Sequence, residues 1–259
     1  MQIKTVDREH PLAIKIRKQI TQALSEYKMI SENDKVMICV SGGKDSSILT
    51  ILLDEIRKRA EINFTIEAVI LDQKQPGFDV LQFQKWIEAE GIKFHIIHKD
   101  TYSIVKEKVT DGVYCSLCSK MRRAILYDFA FNNHFQKMAL GHHRTDLIET
   151  TLLNMFYTGH IATMPAKLKS DDGRNIVIRP LMYVSEDDLI ELSTSWAFPV
   201  IPCNLCGSQE GMKRQKMKQL IKNLEKDIPS LSSSFMTALQ NVKPSHMLDK
   251  NLFDFENLS

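Results

Sequence analysis

The 259-residue sequence predicts an α/β fold, a parallel sheet covered by helices, from three observations. Short apolar runs of strand length recur along the first two thirds of the chain, stretches with apolar residues at helical spacing separate them, and a glycine-containing turn joins the first run to its helix. Strands that alternate with helices pair in parallel, because each crossover returns the chain to the same end of the sheet.

The elements follow in order. Ala13 to Tyr27 reads as a leading helix outside the sheet. Lys35 to Val40 is the first strand, and Ile48, Leu49, Leu52, Leu53 and Ile56 mark its helix. Phe64 to Asp72 and Lys93 to His98 repeat the strand pattern, with a helix from Val80 to Ala89 between them, and Met121 to Phe129 is helical. Gln136 to Gly141 is a further buried run, feeding a helix that carries Leu147, Ile148, Thr151, Leu152 and Met155. From Ser185 onward the pattern is helical, over Leu189 to Trp196, Met212 to Leu224 and Phe235 to Val242, with an irregular tail from Pro244. This divides the chain into an N-terminal helical segment (1–31), a core (32–184) and a helical C-terminal region (185–259).

Composition bounds the function. With 43% hydrophobic and 25% charged residues, the chain has material for one sizeable core. No apolar run approaches the roughly 20 residues needed to cross a bilayer. Lys4, Asp7, Arg8 and Glu9 precede any apolar stretch, the wrong order for a secretory leader, so the expected compartment is the cytoplasm. A formal charge of +2 announces no nucleic-acid binder by itself; the placement of the basic residues must decide. Five cysteines, an odd number, argue for thiol or metal chemistry over a disulfide framework.

Three motifs carry chemistry. Ser41-Gly42-Gly43-Lys44-Asp45-Ser46 lies between the first strand and its helix, where glycines admit backbone amides to an anion and the helix start adds positive potential. It is no Walker loop, since Ile38 stands where that pattern requires glycine; the plainer reading is a turn capped by Ser41. Cys115 and Cys118, and Cys203 and Cys206, form two C-x-x-C pairs able to bind zinc or an iron–sulfur cluster, and Lys120, Arg122 and Arg123 beside a helix start favour thiolate at the first pair. A closed zinc site using all four thiols is the alternative, although 84 residues separate Cys118 from Cys203. Cys39, inside an apolar strand, reads as a packed core thiol. Lys213, Arg214, Lys216, Lys218, Lys222 and Lys226 crowd one helix, which suits either an RNA backbone or plain solvation.

The hexapeptide resembles the signature of the PP-loop ATP pyrophosphatases, which cleave ATP between the α and β phosphates and transfer AMP to an oxygen. That resemblance implies that the loop amides, including those of Gly42 and Gly43, hold pyrophosphate together with Ser41, Lys44 and Ser46. It also implies that Asp45 and Asp146 serve magnesium, that Leu71 and Asp72 seat the adenosine, and that Gly141 belongs to the nucleotide site. For Asp72 a turn role stays open, and for His142 and His143 both substrate contact and a structural role stay open.

A wider match runs through Cys115 to Arg123, Leu140 to Arg144, Ile178 to Leu181, Ile201 to Gln209 and Lys243 to Asp249, and it resembles the tRNA cytidine 2-sulfurtransferases. This implies thiolation of cytidine 32 in tRNA and a 4Fe-4S cluster on Cys115, Cys118 and Cys206, with Cys203 as the alternative third ligand. It also implies a cysteine desulfurase or persulfide carrier as sulfur donor, with a homodimer as one option for assembly. Sister PP-loop chemistry on uridine, lysidine formation, and a zinc-stapled RNA-binding protein without catalysis are the other readings. One departure stands out: related enzymes carry two adjacent acids after Gly-His-His-Arg, and here Thr145 takes the first of those places before Asp146.

Overall fold

In the computed structural model, which describes residues 6–75, 77–108, 114–197 and 209–258, β1 (Lys35–Val40) lies at the centre of the sheet. Its side chains alternate between two cores, as the period of a strand requires. Val36, Ile38 and Val40 enter the larger one, Met37 and Cys39 the smaller. On one flank β1 pairs in parallel with β2 (Thr65–Asp72), which pairs with β3 (Phe94–His98); on the other it pairs with β4 (Lys137–Leu140). The full order is β3-β2-β1-β4-β6-β5.

Helices cover both faces. The larger core takes α1 (Pro11–Glu26), α2 (Lys44–Arg59), α3 (Val80–Ala89) and α7 (Glu186–Trp196). Residues of α8 (Gln209–Asp227) and α9 (Leu231–Gln240) join the same core through Ile221 and Met236. On the other face, Leu126 and Ala130 of α5 (Tyr114–Asn132) pack with Met37, Cys39, Val69, Leu71 and Met138. The remaining helices are α4 (Thr101–Lys108) and α6 (Arg144–Tyr157).

Local chemistry explains the helix ends. α1 begins with Pro11 at its first position, where the missing N–H costs nothing, and buries Ala13, Ile16, Ile20 and Ala23 as one stripe. α2 is buried on every side from Ser46 to Ile56, so its periodicity is that of an interior helix, and Arg57, Lys58 and Arg59 complement its carboxyl end. In α7 the Ser185 side chain accepts from the Asp188 N–H at 3.2 Å, and Glu186, Asp187 and Asp188 fill a first turn that favours negative charge.

The sheet departs from the expected parallel arrangement at one edge. β5 (Lys167–Lys169) and β6 (Ile176–Ile178) form an antiparallel hairpin, and β6 pairs in parallel with β4. The reversal is made by a turn in which the Ser170 N–H donates to Asn175 O at 2.8 Å and the Gly173 N–H to Ser170 O at 2.7 Å. Cys39 is a packed core thiol, and burial pushes its pKa up to about 12 despite the Arg122 charge nearby. Among the described residues no helix is long and apolar enough to cross a membrane.

Candidate active site at the carboxyl edge of the sheet

The chain leaves β1, turns outward through β2 and β3, and crosses back to β4 on the other side of β1. Strand order therefore switches between β1 and β4, where an open α/β sheet leaves a crevice for a ligand. The loop after β1 occupies one wall. Gly42 turns the chain at φ 80°, a left-handed value natural to glycine, and Gly43 is the N-cap of α2. No side chain caps this helix. Ser41 and Ser46 instead pair with each other, Oγ to Oγ at 3.2 Å, while Ser46 Oγ accepts from the Ser41 N–H at 3.1 Å. Ser41 Oγ also accepts from the Gly43 N–H at 3.3 Å, and the N–H groups of the first turn of α2 beyond it are of the kind that suits an anion.

Lys44 is held by acids. Its Nζ lies 3.1 Å from Asp45 Oδ1 and 4.0 Å from Glu186 Oε1, and Glu186 Oε2 is 2.6 Å from Lys218 Nζ. A chain of alternating charge therefore runs from α2 through α7 to the basic helix α8. Burial pushes the Glu186 carboxyl upward, but the Lys218 hydrogen bond and charge, with His143 and Lys44, outweigh it and leave the group below its ordinary value.

The second wall follows β4. A Cβ added to Gly141 would lie 2.9 Å from Ser46 N and 3.1 Å from Ser46 Cα, so this strand end packs directly on the backbone of the first turn of α2. Beyond it, the His143 N–H donates to Asp146 Oδ2 at 2.9 Å, closing the start of α6, and Asp146 Oδ1 lies 3.8 Å from Arg214 of α8. Burial lowers the His142 pKa to about 4, helped by Arg179, Arg214 and His143 against Asp146, so the ring is neutral at pH 7. The Nδ1 atoms of His142 and His143 are both buried without a hydrogen-bond partner among the described residues. Glu149, one turn along α6 and buried, has its pKa raised to about 7 by burial and by Asp146, against Arg214 and Lys218.

The carboxyl end of β2 brings in the cysteine helix. Gln73 Oε1 accepts from Cys118 Sγ at 3.3 Å and from Thr101 Oγ1 at 3.0 Å, which ties the first turns of α4 and α5 to this edge. Asp72 is engaged locally, accepting from the Lys74 N–H at 2.8 Å, from Lys74 Nζ at 2.9 Å and lying 2.9 Å from His98 Nδ1. Burial raises its pKa, but those Lys74 and His98 bonds prevail and lower it. Leu71 points into the smaller core, which leaves its backbone for any ligand.

The edge thus unites Ser41 to Ser46, Gly141 and Asp146 with Cys118. Cys115 belongs to α5, three residues before Cys118 on the same helix face, while its side chain, Cys203 and Cys206 lie outside the described residues. Sequence reasoning passed over Glu186, Glu149 and Gln73, whose placement depends on tertiary packing. The one local hint was Glu186 directly after the N-cap Ser185.

Comparison with known proteins gives this edge its context. The family model for the PP-loop domain matches residues 12–197. A tRNA-cytidine(32) 2-sulfurtransferase of Bdellovibrio bacteriovorus is 64% identical over 253 residues, covering 98% of each chain. The chain belongs to the PP-loop tRNA-cytidine(32) 2-sulfurtransferase family. A protein of the same name from Francisella tularensis is 52% identical over 245 residues, with 94% of this chain and 92% of that one covered. The U34-tRNA thiolase NcsA from Methanococcus maripaludis, solved with its 4Fe-4S cluster, shares the fold at TM-score 0.70 and 22% identity, over 93% of this chain and 84% of that one.

Within a PP-loop protein the approach of Gly141 to α2 sets the shape of the phosphate cradle. Gly141→Ala should displace the start of α2, lowering ATP affinity at least tenfold in calorimetric titration and destabilising the fold by about 1–3 kcal/mol in denaturant. An unchanged affinity would show that the contact is not tight. The raised pKa of Glu149 gives a second expectation. An unfolded carboxyl titrates near 4.5 and the folded one near 7, so the stability of the neutral form is complete below 4.5 and lost as pH rises through 7. In chelator-treated protein, Glu149→Gln should therefore gain on the wild type between pH 4.5 and 8, by on the order of 2 kcal/mol. A pH-independent difference in denaturant midpoints would contradict it.

Proposed function

We propose that this chain is an ATP-dependent tRNA thiolase that adenylates the carbonyl oxygen on C2 of cytidine 32 and replaces that oxygen with sulfur. One observation carries the reading: the uncapped start of α2 and the Cys118 thiol open onto the same sheet edge, in a chain 64% identical to a tRNA-cytidine(32) 2-sulfurtransferase. The base oxygen attacks the α-phosphorus of ATP, the bond to the β-phosphate oxygen breaks, and pyrophosphate leaves. A sulfur nucleophile then adds at C2, and AMP departs with the former carbonyl oxygen.

The protein contributes position and charge. The backbone N–H groups of α2's first turn, Ser41, Ser46 and Lys44 counter the charge that grows on pyrophosphate. To reach it, Lys44 exchanges Asp45 and Glu186 for phosphate oxygens, and Glu186 keeps Lys218 as its counterion. Asp45 and Asp146 offer hard carboxylate oxygens, the donor type that would hold magnesium, which would neutralise phosphate charge. Leu71 and Asp72 border the adenosine.

Thiol donors three residues apart on one helix turn fit an iron–sulfur cluster, and Lys120, Arg122 and Arg123 on that helix favour their ionised form. Held by Cys115, Cys118 and Cys206, a 4Fe-4S cluster would supply an iron able to bind sulfide. In this arrangement residues 32–184 hold nucleotide and the first cysteine pair, 1–31 brace them, and 185–259 add the second pair and a basic helix for the RNA backbone. The sulfur comes from a cysteine desulfurase or persulfide carrier in the cytoplasm, and a thiol reductant supplies the two electrons that bring the outer persulfide sulfur to the sulfide level, leaving a disulfide.

Lys44→Ala and Asp45→Ala should each abolish tRNA-dependent pyrophosphate release while thermal unfolding hardly changes, because both lie in the partly exposed first turn of α2 and outside the core; near wild-type turnover in either would remove the phosphate-loop assignment. Serine at Cys115, Cys118 or Cys206 should eliminate the cluster absorbance of anaerobically reconstituted protein together with thiolation, whereas Cys203→Ser should keep the spectrum. Protein that binds one zinc through four cysteines and thiolates tRNA without iron would overturn the ligand set.

A further inference from the structure

The far end of α6 carries an apolar surface that the nucleotide and cysteine chemistry leaves unused. Phe156 is 57% exposed, Tyr157 47% and Ile161 61%, three large side chains within six residues. Side chains this apolar collect at a surface when something binds there. The segment is firmly held: Asn154 O accepts from the N–H groups of Thr158 and His160, Asn154 Nδ2 donates to Ala162 O at 2.8 Å, and Thr163 Oγ1 donates to Leu147 O at 2.8 Å. The ledge is therefore formed before any partner arrives.

Its neighbour is the basic helix. Lys213 Nζ sits 4.6 Å above the Tyr157 ring, and the next residue, Arg214, reaches toward Asp146. One turn of α8 thus touches both the ledge and the catalytic edge. Along α6 the separation of Asp146 and Tyr157 is about 17 Å at 1.5 Å per residue. Flat aromatic faces beside lysines match a single-stranded nucleic acid, whose bases stack while its phosphates meet cations. A protein partner would gain less from Lys213 and from Lys216 one helical turn further on, both exposed, whereas a polyanion is complementary to them.

We propose that Phe156, Tyr157 and Ile161 form a stacking ledge for unpaired nucleobases of the RNA loop, next to the base that enters the catalytic edge. The proposal rests on the thiolase reading above. A base brought to a reactive centre must leave its stack, which strands its neighbours, and restacking them on protein rings recovers that loss. Stacking tolerates any base, so the ledge supplies affinity and register while selection of cytidine belongs to the edge itself.

The test measures binding of an anticodon stem-loop RNA, and of a duplex of equal length, to the full chain. Phe156→Ala and Tyr157→Ala should each weaken stem-loop binding about tenfold, the scale of one lost stacking contact, with duplex binding unaltered. Tyr157→Phe should retain wild-type affinity. The salt dependence of stem-loop binding should keep its slope in these variants and become shallower in Lys216→Ala, which separates stacking from phosphate contact. A double alanine variant with undiminished stem-loop affinity would overturn the ledge while leaving the thiolase reading intact. So would a wild-type dimer that the double variant converts to monomer in sedimentation, because the surface would then join two copies of this chain. A wild-type protein with no affinity for either RNA would instead sink the thiolase reading, and the ledge with it.

Discussion

Ser46 N would stand 2.9 Å from a Cβ at Gly141, and the layout of the catalytic edge follows from how closely β4 and α2 meet there. With hydrogen in place of a side chain, the strand end can abut helical backbone, main chain against main chain. The same approach brings the α6 start, with His143 and Asp146, alongside the α2 start. Two helix N-termini then face one cleft, and their potentials add where a polyphosphate would lie. Capping is distributed accordingly. α6 closes its own start through Asp146, and α2 leaves its start open.

Much of this was legible in the sequence because the signals were local. β1 and α3 have the bounds that apolar alternation and helical spacing gave them, and the glycine turn between β1 and α2 announces itself by composition. The β5–β6 hairpin was not legible, since strands of three residues are too short to display a period. α6 starts earlier than its apolar residues indicate, because polar His143 and Asp146 make the first turn. Glu186 and Gln73 could not be read at all. Their meaning lies in partners more than forty residues away, Lys44 for one and Cys118 for the other, brought near only by the packed sheet and helices.

A formal charge of +2 conceals how uneven the edge is. Asp45, Asp146, Glu149 and Glu186 gather with Lys44, Arg214 and Lys218, linked by ion pairs and by the charges that act on Glu149. Such a cluster is near neutrality without a ligand, which limits the cost of withdrawing its members from water. Under the proposed function, a polyphosphate would shift that balance by drawing Lys44 away from Asp45 and Glu186. Basic residues that look like simple solvation on a helical wheel therefore divide in two: Arg214 and Lys218 face the acids, whereas Lys216, Lys222 and Lys226 are exposed.

Cys39 stands two residues before the phosphate loop, in a protein whose family name specifies sulfur transfer. Thiols exchange sulfur as thiolates, and burial pushes the Cys39 pKa up to about 12, which holds it as the neutral thiol at pH 7. Burial against Leu126 and Met138 thus makes this sulfur atom a chemical bystander. The central strand of the sheet keeps its one thiol as packing material, closed to adduct formation by the same side chains that hold the sheet together.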